Sequence, residues 1–276
     1  MVLRSGDRGD AVKALQRNLN KLGSMLLVDG DFGAGTRNAI VTARQLLSRP
    51  GPPEADDALQ QAVAAAPDPC PPITAAGVTF IAREEVTDAA SYQRKYRVPT
   101  LPTEKSGVTI GIGYDCQFVR RGELEADWGT LLPADAIAKL AGVLEKVGTA
   151  ELVRSVSTVV VPLSAAMEVF AKRSLPKYLD KTRRIYPQLD DAALTAAQRT
   201  ALVSLVYNRG NKLDGDRRVE MRTIRDLLAA GRVAEVADQF HLMTRLWNEA
   251  TEGGLVRRRR AEAALWRSGF ASQGLE

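Results

Sequence analysis

The run Ser106-Gly-Val-Thr-Ile-Gly-Ile-Gly-Tyr-Asp115 constrains the fold of this chain more than any other stretch. Glycines at 107, 111 and 113 interrupt β-branched and apolar residues, with a hydroxyl at one end and a carboxylate at the other. Val, Ile and Thr favour a pleated strand, whereas glycine weakens a strand interior and marks a bend or a close approach to the backbone. The run predicts a short, sharply turned ribbon. Upstream, Phe80-Ile-Ala-Arg-Glu-Glu-Val86 reads as a helix carrying carboxylates at the edge of its apolar face.

Elsewhere the pattern is helical. Between Asp10 and Gly23, Val12, Leu15, Leu19 and Leu22 share one face, and Gly23 is a natural stop. A turn-rich loop, Val28 to Thr36, follows, with Thr36 read as the cap of a second helix carrying Ala39, Ile40, Ala43, Leu46 and Leu47. The alanine-rich stretch 54–66 fits a third. Proline clusters at 50–53 and 67–72 bracket that stretch, and the second reads as a semi-rigid spacer. The expected organisation is therefore a small module over 1–66, a linker over 67–75 and a larger helical region over 76–276. In that region helices are predicted near 76–95, 133–147, 163–186, 195–209, 218–230, 233–246 and 254–268, around a ribbon within 100–120. Thr195-Ala-Ala-Gln198 is a capping box, and Gly210 ends the helix it opens. The fold class expected is mainly α, of an α+β kind, with one short ribbon.

Charge is uneven. Residues 1–49 carry eight Lys/Arg against four Asp/Glu, 50–75 carry none against four, and 76–276 carry thirty against twenty-five. Cationic regions flanking an acidic connector suit an anionic polymer, a wall, nucleic acid or membrane face, or serve solubility alone. Two cysteines and one histidine make neither a disulfide framework nor a metal cluster, so Cys70 and Cys116 are read as thiols and no metal or cofactor is expected. His241 is read as a core or surface histidine, and Arg257 to Arg260 as a solvated helix face. Arg4, Asp7, Arg8 and Asp10 interrupt any signal-peptide core, and no apolar run approaches the ~20 residues that span a bilayer.

Four motifs carry resemblances. Gly6-Asp7, Gly9, Val12, Leu15-Gln16, then Asp29-Gly30, Phe32-Gly33 and Thr36 are similar to the three-helix peptidoglycan-binding domain. Phe80-Ile81 and the acidic residues after it, followed by Thr109-Ile-Gly-Ile-Gly113, resemble the phage-type lysozymes (muramidases). The helix Gln198 to Gly210 resembles their buried central helix, and Gly254 to Trp266 is similar to the last helix of several muramidase families. Together these imply a modular endolysin of lysozyme-like fold. It would be a glycosidase of the peptidoglycan β-1,4 bond, with the bacterial wall as partner in place of nucleic acid. It would act as a monomer without stable membrane insertion, made in a host cytoplasm and working in the periplasm. A lytic transglycosylase, a non-catalytic wall-binding protein and an exported antibacterial effector are the alternatives.

Glycoside hydrolysis needs an acid to protonate the leaving oxygen and a second group to manage water at an oxocarbenium-like centre. Laid on Phe80-Ile81, the lysozyme pattern selects Glu85 as the acid, with Glu84 as rival. The chain departs from the commonest phage pattern, which places an Asp shortly before the Thr; here Glu104 is the only acidic residue in that stretch. A lysozyme-like bacteriocin places its Asp six positions past the Thr, and Asp115 stands six past Thr109. Asp115 is therefore preferred to Glu104, with Thr109 as a water-holding partner. Ser106, Tyr114, Gln117 and Asn208 are candidate substrate-binding residues.

Overall fold

The computed structural model describes residues 1–271, and glycines and caps place several of the helix ends in it. Helix α1 (Asp10–Asn20) turns Val12, Leu15 and Leu19 inward, and Gly23 follows it at φ +79°. Helix α2 (Ala34–Leu46) begins after Gly33, not at Thr36. Thr36 lies inside the helix and is buried, its hydroxyl accepting from Gln16 Nε2 at 3.1 Å, so it pins the loop and caps nothing. Helix α3 (Asp57–Ala65) is capped by Asp56, whose Oδ1 accepts from Leu59 N at 2.7 Å. Leu3, Phe32, Ile40, Leu59 and Val63 close a shared core with the inward face of α1.

Beyond them come α4 (Ala75–Val86) and α5 (Ala89–Lys95). The sequence predicts one helix here. It breaks because Thr87 takes φ +70° and Asp88 caps a new start, accepting from Ser91 N at 2.6 Å. Strands β1 (Thr109–Ile110) and β2 (Tyr114–Asp115) form the only sheet among the described residues, an antiparallel pair. Helices α6 (Arg121–Trp128), α7 (Ala134–Ala141), α8 (Ala150–Ser155) and α9 (Leu163–Val169) follow. Neither α6 nor α8 is anticipated by apolar periodicity, since both are short and mostly exposed. A π-turn, Phe170–Ser174, joins α9 to α10 (Leu175–Ile185). Then come α11 (Ala196–Arg209), α12 (Val219–Ala229), α13 (Val236–Leu242) and α14 (Glu249–Ala271).

Backbone packing gathers residues 1–70 and 78–174 into one compact unit and residues 71–77 and 175–276 into another. These units cut the chain differently from the expected 1–66, 67–75 and 76–276. In the first unit the end of α1 lies directly against α9. A Cβ at Gly23 would lie 2.8 Å from Met167 Cβ. Within the proline-rich stretch and just after it, Cys70 and Ile73 are buried. Neither Cys70 nor Cys116 forms a disulfide.

The second unit is built on α11, buried over Ala201 to Val206 and packed on α14, which also packs on α13. Its capping box and its stop at Gly210 are those expected. The arginine run differs from expectation. Arg257 and Arg260 are exposed, but Arg258 and Arg259 are buried. Glu262 Oε1 accepts from Arg259 Nη2 at 2.7 Å and from the Ser204 hydroxyl at 2.6 Å, and Arg258 Nη2 donates to Ser204 O at 3.2 Å. Helical i,i+3 and i,i+4 spacing brings both guanidinium groups onto that carboxylate, which permits their burial. His241 is exposed on α13.

Candidate active site

The ribbon is a three-residue hairpin. Gly111 and Gly113 take φ +59° and +71°, which only glycine adopts without strain, and Ile112 is buried between them. Gly111 also lies close to Trp128, where a Cβ would sit 3.1 Å from the indole. In register, Thr109 faces Asp115 and Ile110 faces Tyr114. Directly opposed residues of an antiparallel pair project to the same side, so the Thr109 and Asp115 side chains share one face of the ribbon.

Both side chains converge on Gly107. Its N–H donates to Asp115 Oδ1 at 3.0 Å, and Gln117 N donates to the same oxygen at 2.9 Å. Its carbonyl accepts from the Thr109 hydroxyl at 3.3 Å. A Cβ on Gly107 would lie 2.4 Å from Asp115 Oδ1 and 2.6 Å from Gln117 N, so only glycine allows the carboxylate to seat there. Asp115 Oδ2 has no hydrogen-bond partner among the described residues. The Thr109 hydroxyl, having spent its proton, keeps lone pairs for a further donor.

The ribbon is braced from both sides. Thr100 exchanges backbone bonds of 2.9 Å with Thr109. The segment after α7 supplies Glu145 N to Cys116 O at 3.0 Å and Gly148 N to Ser106 O at 2.8 Å. Gly148 leaves no room for a side chain, since a Cβ would lie 2.9 Å from Ser106 O and 3.0 Å from the Gly107 carbonyl carbon. Gly107 and Gly148 are the positioning residues that sequence reading missed. Gly107 stood inside the motif yet read only as strand punctuation, and Gly148 carried no signal beyond that of an ordinary turn.

The other candidates fall in several places. Glu84 and Glu85 occupy the last turn of α4, both half-buried. Glu104 is exposed in the loop before the ribbon. Ser106 pairs its hydroxyl with that of Thr103 at 2.8 Å. Tyr114 does not fit the substrate-binding role expected of it. It is buried edge-on against Trp128, ring centres 5.4 Å apart, and its hydroxyl donates to Asp127 Oδ2 at 2.9 Å. Burial, reinforced by that carboxylate, drives its pKa well above the ordinary tyrosine value. Asp127 is held in turn by Arg173 Nε at 2.9 Å. Gln117 is half-buried, and its Oε1 is buried with no hydrogen-bond partner among the described residues. Asn208 is exposed near the end of α11, in the second unit.

Residues 134–262 match the phage lysozyme family, and residues 8–45 match the putative peptidoglycan binding domain. No curated protein matches the sequence. A mainly helical fold with these two matches supports a peptidoglycan hydrolase of lysozyme type. The chain is modular in the manner of the endolysins, with a peptidoglycan-binding domain followed by a phage lysozyme domain. Glu85, Thr109 and Asp115 precede the lysozyme match, which begins upstream of the 145–148 segment that braces the ribbon.

Proposed function

We propose that this chain is an N-acetylmuramidase that hydrolyses the β-1,4 bond between N-acetylmuramic acid and N-acetylglucosamine. Glu85 is the general acid, and Asp115 with Thr109 holds the attacking water. The observation that carries this reading is the seating of Asp115, with two backbone N–H groups on Oδ1, Oδ2 left without a partner among the described residues, and Thr109 directly opposite on the paired strand. Fixing one carboxylate oxygen aims the other. The water donates one hydrogen bond to Oδ2 and one to the Thr109 hydroxyl, so its oxygen lone pair is directed outward. Glu85 gives its proton to the glycosidic oxygen as the C1–O bond breaks, water adds at C1, and Asp115 takes the water proton. No metal takes part in this scheme.

The same reading takes 1–66 as the wall-binding module, 67–75 as the connector and 76–276 as the catalytic region. The protein acts as a monomer of phage origin with antibacterial effect, made in the host cytoplasm and working in the periplasm. The two family matches support the wall-binding and lysozyme-type parts of this reading. No helix among the described residues is long and apolar enough to cross a membrane.

Mass spectrometry of digested sacculi tests the reaction. Hydrolysis leaves reducing muramic ends, each one water heavier than the 1,6-anhydro ends of a lytic transglycosylase. Anhydro products would overturn the hydrolase assignment. Glu85→Gln is expected to lose roughly 10²–10⁴-fold in rate while keeping its circular dichroism. Retention of more than about a tenth of the native rate would move the acid to Glu84.

A further inference from the structure

We propose that a groove in the first unit, formed away from the ribbon, binds the neutral sugar backbone of peptidoglycan. The choice of glycan rests on the wall-hydrolase reading above. The groove encloses about 480 Å³ between α2, the loop after α1, the start of α5 and the turn entering α9. Helix α2 contributes Asn38, Thr42 and Gln45, spaced i, i+4 and i+7 and so aligned on one face. Gln93 of α5 and Ser164 of α9 add polar groups from the other wall.

None of the residues lining the groove is ionisable, in a chain of which 26% is charged. That selects the ligand. The stem peptides of a bacterial wall carry carboxylates and amines, and an uncharged groove gives those groups no partner. Pyranose hydroxyls and acetamido groups need donors and acceptors together, which amide and hydroxyl side chains supply. Ala39, Ala90 and Pro162 add small apolar surfaces on which the C–H faces of a sugar ring can rest. The volume lies within the range of ordinary small-ligand clefts and suits two or three sugar units. One wall falls in the peptidoglycan-binding match and Pro162–Ser164 in the lysozyme match, so the site is complete only where the two domains meet. A strand held there stays with the protein while the ribbon works on another bond.

Two full-length variants test this. Ala90→Trp fills the groove, and Asn38→Ala/Gln93→Ala removes two amide partners and leaves the groove open and somewhat wider. Tri-N-acetylchitotriose is titrated and followed at the Gln45 side-chain amide by NMR, with hydrolysis of short soluble peptidoglycan fragments measured alongside. We expect about tenfold weaker trisaccharide binding in the double variant, as two lost hydrogen bonds imply, and fragment hydrolysis within about twofold of native. Native affinity in both variants overturns the proposal, as does an equal loss of binding and fragment hydrolysis, which would make the groove part of the active site. If Ala90→Trp fails to fold, the double variant decides alone. A native protein that binds the trisaccharide at Gln45 yet cleaves no wall would refute the hydrolase and leave the groove standing.

Discussion

Two loops of the first unit each present an aspartate and a threonine on glycine-bearing backbone, and they are held in different ways. In the loop over 29–36, Asp29 Oδ1 accepts from Asp31 N at 2.9 Å and from Gln16 Nε2 at 2.8 Å. The same Gln16 amide reaches Thr36, and its Oε1 takes Gly30 N at 2.9 Å. One buried side chain from the preceding helix thus ties the whole loop. In the ribbon, the aspartate and threonine meet on the backbone of a glycine, and that backbone is braced by Thr100, Glu145 and Gly148. In both, one aspartate oxygen takes two hydrogen bonds and the other has no partner among the described residues. What differs is the brace, which is one side chain in the first loop and backbone drawn from distant segments in the second.

The largest expected contrast is chemical. Asp115→Asn should lower hydrolysis of soluble fragments by about 10²-fold, whereas Asp29→Asn should leave that rate nearly native. Equal losses in the two variants would erase the distinction, and a milder loss in Asp115→Asn than in Glu104→Gln would move the water-holding role to Glu104. Next comes space. Gly107→Ala must push a carboxylate and a backbone nitrogen aside, costing about 1–3 kcal/mol with a matching fall in rate. Gly33→Ala meets nothing within 4 Å and should change stability by less than ~0.5 kcal/mol. Thermal melts of both proteins, with rates on fragments, read this directly.

A third substitution acts on the 29–36 loop alone. Gln16→Ala strands the buried Gly30 N–H and should destabilise the protein by about 1–3 kcal/mol, with fragment hydrolysis intact at moderate temperature. Lost hydrolysis in a folded Gln16→Ala protein would mean that the two loops are coupled. The smallest effect is acid sensitivity. The Asp31 N–H and Gln16 hold the Asp29 carboxyl below its ordinary value, and the Leu59 N–H and Arg44 do the same for Asp56. A carboxyl depressed on folding adds stability above its unfolded pKa, near 3.9, and that stability fades as pH falls through the lower folded value. Melting temperature should therefore drop below about pH 4, less so in Asp56→Asn, while an unchanged slope in that variant would remove Asp56 from the account.

What was legible follows the reach of each interaction. The 29–36 loop could be read because its partners lie within the loop or one helix upstream, so the glycines and Gln16 appear together in the sequence. Helix α11 was legible for a similar reason, with its cap, apolar face and glycine stop all local. The ribbon itself was visible, but its support was not, because Trp128, Glu145 and Gly148 come from distant segments. The setting of Tyr114 is hidden on the same ground, since Asp127 and Arg173 that fix it carry no mark in a linear pattern. The buried Arg258 and Arg259 looked solvated because Ser204, more than fifty positions away, completes their network.

Cys116 gives the ribbon a chemical clock. Its side chain is wholly buried, its N–H donates to Val108 O at 2.9 Å, and its carbonyl takes Glu145 N. Burial, with the neighbouring Asp115 charge, pushes the thiol up to about 12. At neutral pH it is protonated and walled off, so alkylating reagents and oxidants cannot reach a reactive sulfur while the hairpin base is shut. Modification at Cys116 therefore times the opening of that base, and a sample modified there with full helical signal has opened its ribbon alone.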